Sequence, residues 1–181
     1  MASTVGHALC GVACLLGARL AAPRQAPPLD ARSIVLFILL ANLPDFDLAL
    51  GYALGDTHRF HGGGTHSIAF AALAGLVAAP ALRAALGWLH AWMICALTVL
   101  SHVLVDALVG PQLGRHASLG ARFFWPWIDE PVGSLPFTVL LGIRHDSIIS
   151  LHSLKAVALE LAMFVPVLGL LWALELRRRA A

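Results

Sequence analysis

The chain has 181 residues, of which 59% are hydrophobic and 12% charged, with a mean hydropathy of +0.82. Soluble globular chains carry about 25% charged residues, so this composition excludes an ordinary soluble domain and implies an integral membrane protein. The formal net charge of +2 is scattered, with no basic stripe interleaved with aromatics, which excludes a nucleic-acid-binding surface. The length suits one all-α domain, a polytopic bundle of about five transmembrane helices.

In chain order, the first apolar segment runs from Val5 to Ala22. No Lys/Arg-rich region precedes it, so it reads as a retained helix and not a cleaved signal peptide. A polar loop, APRQAPPLDARS, leads to a second segment from Ile34 to Pro44. This is short for a span, which suggests a tilted, kinked or half-spanning helix, with a continuation through LALGYAL as the alternative. The loop GDTHRFHGGGTH precedes a third segment, Ser67 to Leu82, for which Thr65 is a candidate N-cap. Arg83 punctuates a turn before a fourth segment, Ala84 to Val109. The irregular stretch that follows carries Trp125 and Trp127, rings suited to a membrane–water interface. SLPFTVLLGI is too short to span, and the fifth segment, Leu154 to Leu176, ends in RRR. The three cysteines, Cys10, Cys14 and Cys95, lie in apolar runs without C-x-x-C spacing and read as packing residues.

Five spans place Arg19, Arg24, Arg32, Arg83 and Arg177 to Arg179 on one side, and Arg59, Arg115, Arg122, Arg144 and Lys155 on the other. The positive-inside rule then sets the C-terminus in the cytoplasm and the N-terminus outside. On that topology His7, Asp45, Asp47, His61, His66, His102 and Asp106 all gather toward the outer face.

These residues form three motifs. SHVLVD sets His102 and Asp106 one helical turn apart on one face, where both can reach one metal ion or simply hydrogen-bond each other. NLPDFD offers two carboxylates, Asp45 and Asp47, that a cation could hold together or that could be a solvated helix end. HGGGTHS brings His61 and His66 to a flexible glycine turn, as ligands or as exposed loop histidines. With His7, four histidines and three aspartates make an N/O donor set suited to zinc, manganese or iron(II). Seven ligands exceed one tetrahedral zinc, so two ions are the natural count, and Asp45 or Asp47 is the candidate to orient the attacking water or act as general base. Arg115, Arg122 and Arg144 are either a phosphate clamp or solvated loop charges. His90, between Trp88 and Trp92, reads as structural, and Glu160 as a buried group paired with His152 or a loop arginine.

With His7, NLPDFD, HGGGTHS, SHVLVD and FFWPW in order over residues 7 to 127, the chain resembles the YdjM-like inner-membrane metal-dependent hydrolases, a family also described as LexA-regulated. One departure is Gly62, where the family pattern H-R-G-x-T-H-S has arginine; Arg59 is the candidate substitute for a phosphate contact. The family is distantly similar to zinc-dependent phospholipase C, which also uses an H-x-x-x-D pair. The resemblance implies a multi-pass protein of the inner membrane, a link to the SOS response, and metal-dependent hydrolysis of a phosphoester or related bond in a lipid or amphiphile. A divalent-metal transporter or sensor and a non-catalytic, metal-stapled membrane scaffold are the competing readings. No motif speaks to oligomeric state.

Overall fold

The computed structural model describes residues 3–56, 61–109, 121–132 and 150–180. Helix α1 (Thr4–Ala21) starts at Ser3, whose hydroxyl accepts the Gly6 N–H at 3.3 Å. Helix α2 (Ala31–Asn42) starts at Asp30, whose carboxylate accepts the Ser33 N–H at 2.8 Å. Both are ordinary N-caps that satisfy a donor the helix itself leaves free. Pro44 does not end the second segment. It lies in a 3-10 turn, Leu43–Asp45, after which the chain continues as α3 (Phe46–Leu54) and stops at Gly55, whose φ is +76°. A proline in the first turn of a helix removes a donor that would be unpaired anyway. The stretch Ala31–Leu54 is therefore long and apolar enough to cross a membrane as a whole.

Helix α4 (Ile68–Ala78) is capped by Ser67, which accepts the Phe70 N–H at 3.1 Å; the cap is not Thr65. Gly87, with φ +73°, divides the expected fourth segment into one turn, α5 (Arg83–Leu86), and the long helix α6 (Trp88–Val109). Helix α7 (Leu151–Ala180) completes the bundle. Among the described residues four stretches are long and apolar enough to span: Thr4–Ala21, Ala31–Leu54, Trp88–Ala107 and Ser153–Ala180. The apolar stretch Ile68–Ala81 is shorter, roughly 20 Å at 1.5 Å per residue. It falls short of the full span expected of it.

Direction follows from the cross-helix contacts. Gly11 lies against Phe37 while His7 approaches Asp45, so α1 and α2 are antiparallel. Gly75 lies against Ala96 while His66 meets His102, so α4 and α6 are antiparallel too. Ser3 bonds Glu160 near one end and Arg19 bonds Glu175 near the other, so α1 and α7 run parallel. The short α4 thus makes a return pass, and one end of the bundle collects the start of α1, the end of α2, the start of α4, the end of α6 and the start of α7.

The close contacts are made by small residues. A Cβ on Gly11 would lie 2.5 Å from the Phe37 carbonyl oxygen, and one on Gly75 would lie 2.6 Å from the Ala96 nitrogen. Helices in lipid gain by such backbone approach, because apolar side chains are no better off against protein than against acyl chains. Leu15, Phe37, Leu40, Leu82, Leu86 and Val99 form the buried core between α1, α2, α4 and α6. Helix α7 packs chiefly on α1 and otherwise shows an apolar surface.

Buried charges on α7 are all partnered by α1. Glu160 accepts from the Ser3 N–H at 2.6 Å and from the Ser3 hydroxyl; the His152 side chain and the loop residues Arg59, Arg115 and Arg144 expected to pair with it lie outside what is described. The Glu160 carboxylate sits on the positive end of the α1 dipole, where an anion is stabilised. Glu175 is fully buried and receives Arg19 at 2.7 Å, Arg178 at 2.8 Å and Arg179 at 3.0 Å. His90 is exposed at the start of α6, so it has no structural role in the core.

Candidate metal centre

At the end where five helix termini meet, the three NLPDFD, HGGGTHS and SHVLVD motifs and His7 come together. His7 projects from the first turns of α1, and His102 and Asp106 from the last turns of α6. Asp45 closes the 3-10 turn after α2, and His66 closes the turn Gly64–His66 before α4. Histidines 7, 66 and 102 are fully buried, Asp106 nearly so, and the Asp45 side chain keeps 19% exposure.

Their donor atoms form two triads that share His102, His7–His102–Asp106 and Asp45–His66–His102. His102 Nε2 lies 3.2 Å from His66 Nε2 and 3.4 Å from both Asp45 Oδ1 and Asp106 Oδ2. His66 Nε2 lies 3.8 and 3.7 Å from those same oxygens. His7 Nε2 lies 3.2 Å from Asp106 Oδ1 and 4.0 Å from Asp45 Oδ2. Ligands held about 2.0–2.1 Å from a tetrahedral ion are separated by about 3.4 Å, so the spacing suits a cation at the centre.

Two further observations bear on the fit. Among the described residues neither ring nitrogen of His7 has a hydrogen-bond partner, and neither does Asp45 Oδ1, although all three atoms are buried. Buried polar atoms are normally paired, and orphans are costly. A cation supplies the missing partner for the lone pairs directed inward. The second concerns His102, whose Nδ1 is 2.8 Å from the Ala41 carbonyl oxygen. A carbonyl only accepts, so Nδ1 carries the proton and Nε2 presents its lone pair to the cluster, the usual arrangement behind a metal-binding imidazole. The rings of His7 and His102 stack at 3.6 Å, and that of His66 stands edge-on to His102 at 4.9 Å. The residues present fit a divalent metal ion.

Asp47 and His61 occupy a neighbouring layer. Asp47 Oδ1 lies 2.9 Å from His61 Nδ1; Oδ2 accepts the Thr65 hydroxyl at 2.6 Å and lies 3.3 Å from His66 Nδ1. With Nε2 of His66 turned to the central cluster, its Nδ1–H points to Asp47. Three groupings have ligand geometry, His7–His102–Asp106, Asp45–His66–His102 and Asp47–His61–His66, but His66 and His102 each appear in two of them. Thr65, first read as a helix cap, is instead a hydrogen-bond donor to Asp47. The carbonyl of Ala41 carried no sequence signal at all, because any residue supplies one.

Of the candidate phosphate contacts, Arg122 is described: it pairs with Asp129 at 3.2 Å on the rim above the glycine turn. Arg59 and Arg115 lie outside the described residues, as do Arg144 and SLPFTVLLGI. The FFWPW segment does more than sit at an interface. The Arg122 N–H donates to the Gly62 carbonyl at 3.2 Å and the Phe123 carbonyl accepts the Ile68 N–H at 3.0 Å, so it is fastened onto the glycine turn.

No curated protein and no solved structure matches the chain. A family match covers residues 1–179, and so includes the buried His/Asp cluster and every helix that carries it. By that match the chain belongs to the YdjM inner membrane protein family.

Proposed function

We propose that this protein is a membrane-embedded, metal-dependent hydrolase that cleaves a phosphoester bond in an amphiphilic substrate at the extracytoplasmic face. The observation that carries the reading is the convergence of His7, His66, His102 and Asp106, all buried, and the partly exposed Asp45 into overlapping ligand triads at one end of an apolar bundle, with orphaned atoms among them. Those five residues, as the triads His7–His102–Asp106 and Asp45–His66–His102, would hold one or two divalent ions, zinc by donor type, with manganese or iron(II) as alternatives. Bound there, the ion supplies Lewis acidity, polarising a phosphoryl oxygen and acidifying water.

The remaining chemistry belongs to the protein. Asp45 is the partly exposed carboxylate of the cluster, so it is assigned the attacking water: it orients that water and takes its proton. Water adds to phosphorus as its proton passes to Asp45, the P–O bond to the leaving oxygen breaks, and Asp45 returns that proton to the leaving alkoxide, which departs as the alcohol. Asp47 has both oxygens engaged by His61, Thr65 and His66, and is assigned a positioning role. The apolar walls around the cluster exclude water and admit a lipid-like substrate. The likeness of the H-x-x-x-D pair to zinc-dependent phospholipase C supports the same reaction class.

Purified protein given lipid phosphoesters with zinc, manganese or iron(II) should release phosphate or phosphorylated headgroup. His102→Ala and Asp106→Ala should lose both turnover and bound metal by elemental analysis. Wild-type turnover in both variants would overturn the reading. A metal staple that only ties α1, α2, α4 and α6 together is the second reading, favoured by the four elements the cluster joins; it predicts tightly held metal and no hydrolysis. A transporter is less well supported, since transport sites lie near the bilayer midplane and this cluster lies at one end. The orientation is tested in a variant free of native cysteines. Gly55→Cys should react with an impermeant maleimide from outside the cell and Arg24→Cys should not; the reverse pattern would place the site in the cytoplasm.

A further inference from the structure

A cavity of about 420 Å³ opens beside the metal cluster, between α3, the glycine turn and the Trp125 turn. Its volume falls within the roughly 300–1,000 Å³ usual for small-molecule sites. Its lining includes Asp47 and Thr65, which contact His66, so the cavity is one residue removed from the candidate metal centre. Its apolar lining comes from Leu43, Phe46 and Leu50 of the α2–α3 stretch, from Phe70 of α4 and from Trp125. Phe46, Leu50 and Trp125 are 59, 50 and 41% exposed, so the cavity is lined by side chains that also face the surroundings of the bundle.

One cationic side chain, Arg122, lines this cavity among the described residues. Its backbone is tied to the glycine turn through Gly62, which fixes where the guanidinium emerges. Its partner Asp129 is largely exposed, and such a surface pair contributes little. An incoming phosphate can therefore replace Asp129, offering the planar guanidinium two oxygens. Asp47, the carboxylate that also lines the cavity, has its oxygens directed to His61 and Thr65. Gly64 sets the width: a Cβ there would lie 3.1 to 3.3 Å from the Trp125 indole, so the ring rests on bare backbone. An alanine at 64 would ask the indole to give by a few tenths of an ångström, and a branched or longer side chain by more.

We infer that this cleft receives a single apolar chain of a phosphate-bearing amphiphile, with Arg122 on the phosphate and Trp125 over the chain. The inference rests on the hydrolase reading and narrows its substrate to an anionic amphiphile whose chain next to the phosphate is unbranched enough to lie between Phe46 and Trp125.

The test is binding, read without turnover. The full chain with its metal, in zwitterionic-lipid nanodiscs, is titrated with a bromine-tipped alkyl phosphonate, whose P–C bond cannot be hydrolysed, and tryptophan quenching is followed. Quenching should saturate, and the saturable part should vanish in Trp125→Phe. Arg122→Gln should weaken binding by at least about tenfold, equivalent to about 1.4 kcal/mol, and the matching bromoalkyl alcohol should bind wild type equally weakly. Gly64→Leu should remove saturable quenching, and a melting curve checks that the variant folds. The inference is overturned if Arg122→Gln binds as wild type does, if the alcohol or an alkyltrimethylammonium binds as tightly as the phosphonate, or if inorganic phosphate displaces the probe at equal concentration. Hydrolysis at wild-type rate in Arg122→Gln and Gly64→Leu would remove the cleft and leave the hydrolase reading. Saturable, Arg122-dependent binding in a protein that hydrolyses no phosphoester would do the opposite.

Discussion

His102 has one ring nitrogen committed to the Ala41 carbonyl and the other aimed at His66, Asp45 and Asp106. Asp47 does the equivalent for His66 from outside the cluster, with Thr65 steadying the carboxylate. Partners of this kind, behind a ligand, commonly matter about 10–100-fold to metal affinity. Asp47→Asn should therefore leave the fold intact and weaken metal binding by about that factor in a competition titration with a chromophoric chelator. Complete loss of metal would instead make Asp47 a ligand, and unchanged affinity would remove it from the centre. The sequence showed that Asp45 and Asp47 sit close together on one turn, but could not separate their roles. Two residues apart at a helix start, they diverge: Asp45 meets His102 at 3.4 Å while Asp47 meets His61 at 2.9 Å.

At the scale of helices, the positions of closest approach are occupied by residues without side chains. Gly75 against Ala96 is the tightest contact of the α4–α6 pair given by any described glycine. Gly75→Val should lower thermal stability in detergent by the equivalent of about 1–3 kcal/mol or more, because the obstructing atoms are backbone and cannot rotate away. Gly17→Val, at a position with open space, should have little effect on the same melting curve. Element boundaries escaped the hydropathy pattern even where a cap or a glycine marks them: α2 starts at Asp30, ahead of the expected Ile34, and Gly87 splits the expected fourth segment. They were misread where two plausible caps competed: Thr65 and Ser67 both precede α4, and only Ser67 reaches the Phe70 N–H, since Thr65 is drawn to Asp47. The short α4 belongs here too, since a run of apolar residues does not reveal whether its end turns in a 3-10 turn, as Ala79–Ala81 does.

For the whole molecule, the cluster joins α1, α2 with its 3-10 turn, α4 and α6, so bound metal is linked to folding. A ligand at 100 times its dissociation constant stabilises the native state by about 2.7 kcal/mol. Stripping metal with a chelator should lower the melting temperature of wild type and leave His102→Ala unmoved; equal shifts in both would mean that the chelator acts elsewhere. The membrane class, the helical architecture, the family motifs and which residues could share a helix face were all legible before any contact was known, because hydropathy and a 3.6-residue period are local properties. Tertiary structure alone decided which nitrogen of each imidazole faces the centre, that Glu160 holds the start of α1, that α1 and α7 run parallel, and that Trp125 lies on Gly64. These depend on contacts between residues far apart in the chain, 61 positions for His102 and Ala41 and 157 for Ser3 and Glu160. No local pattern encodes such contacts; they exist only once the helices have packed.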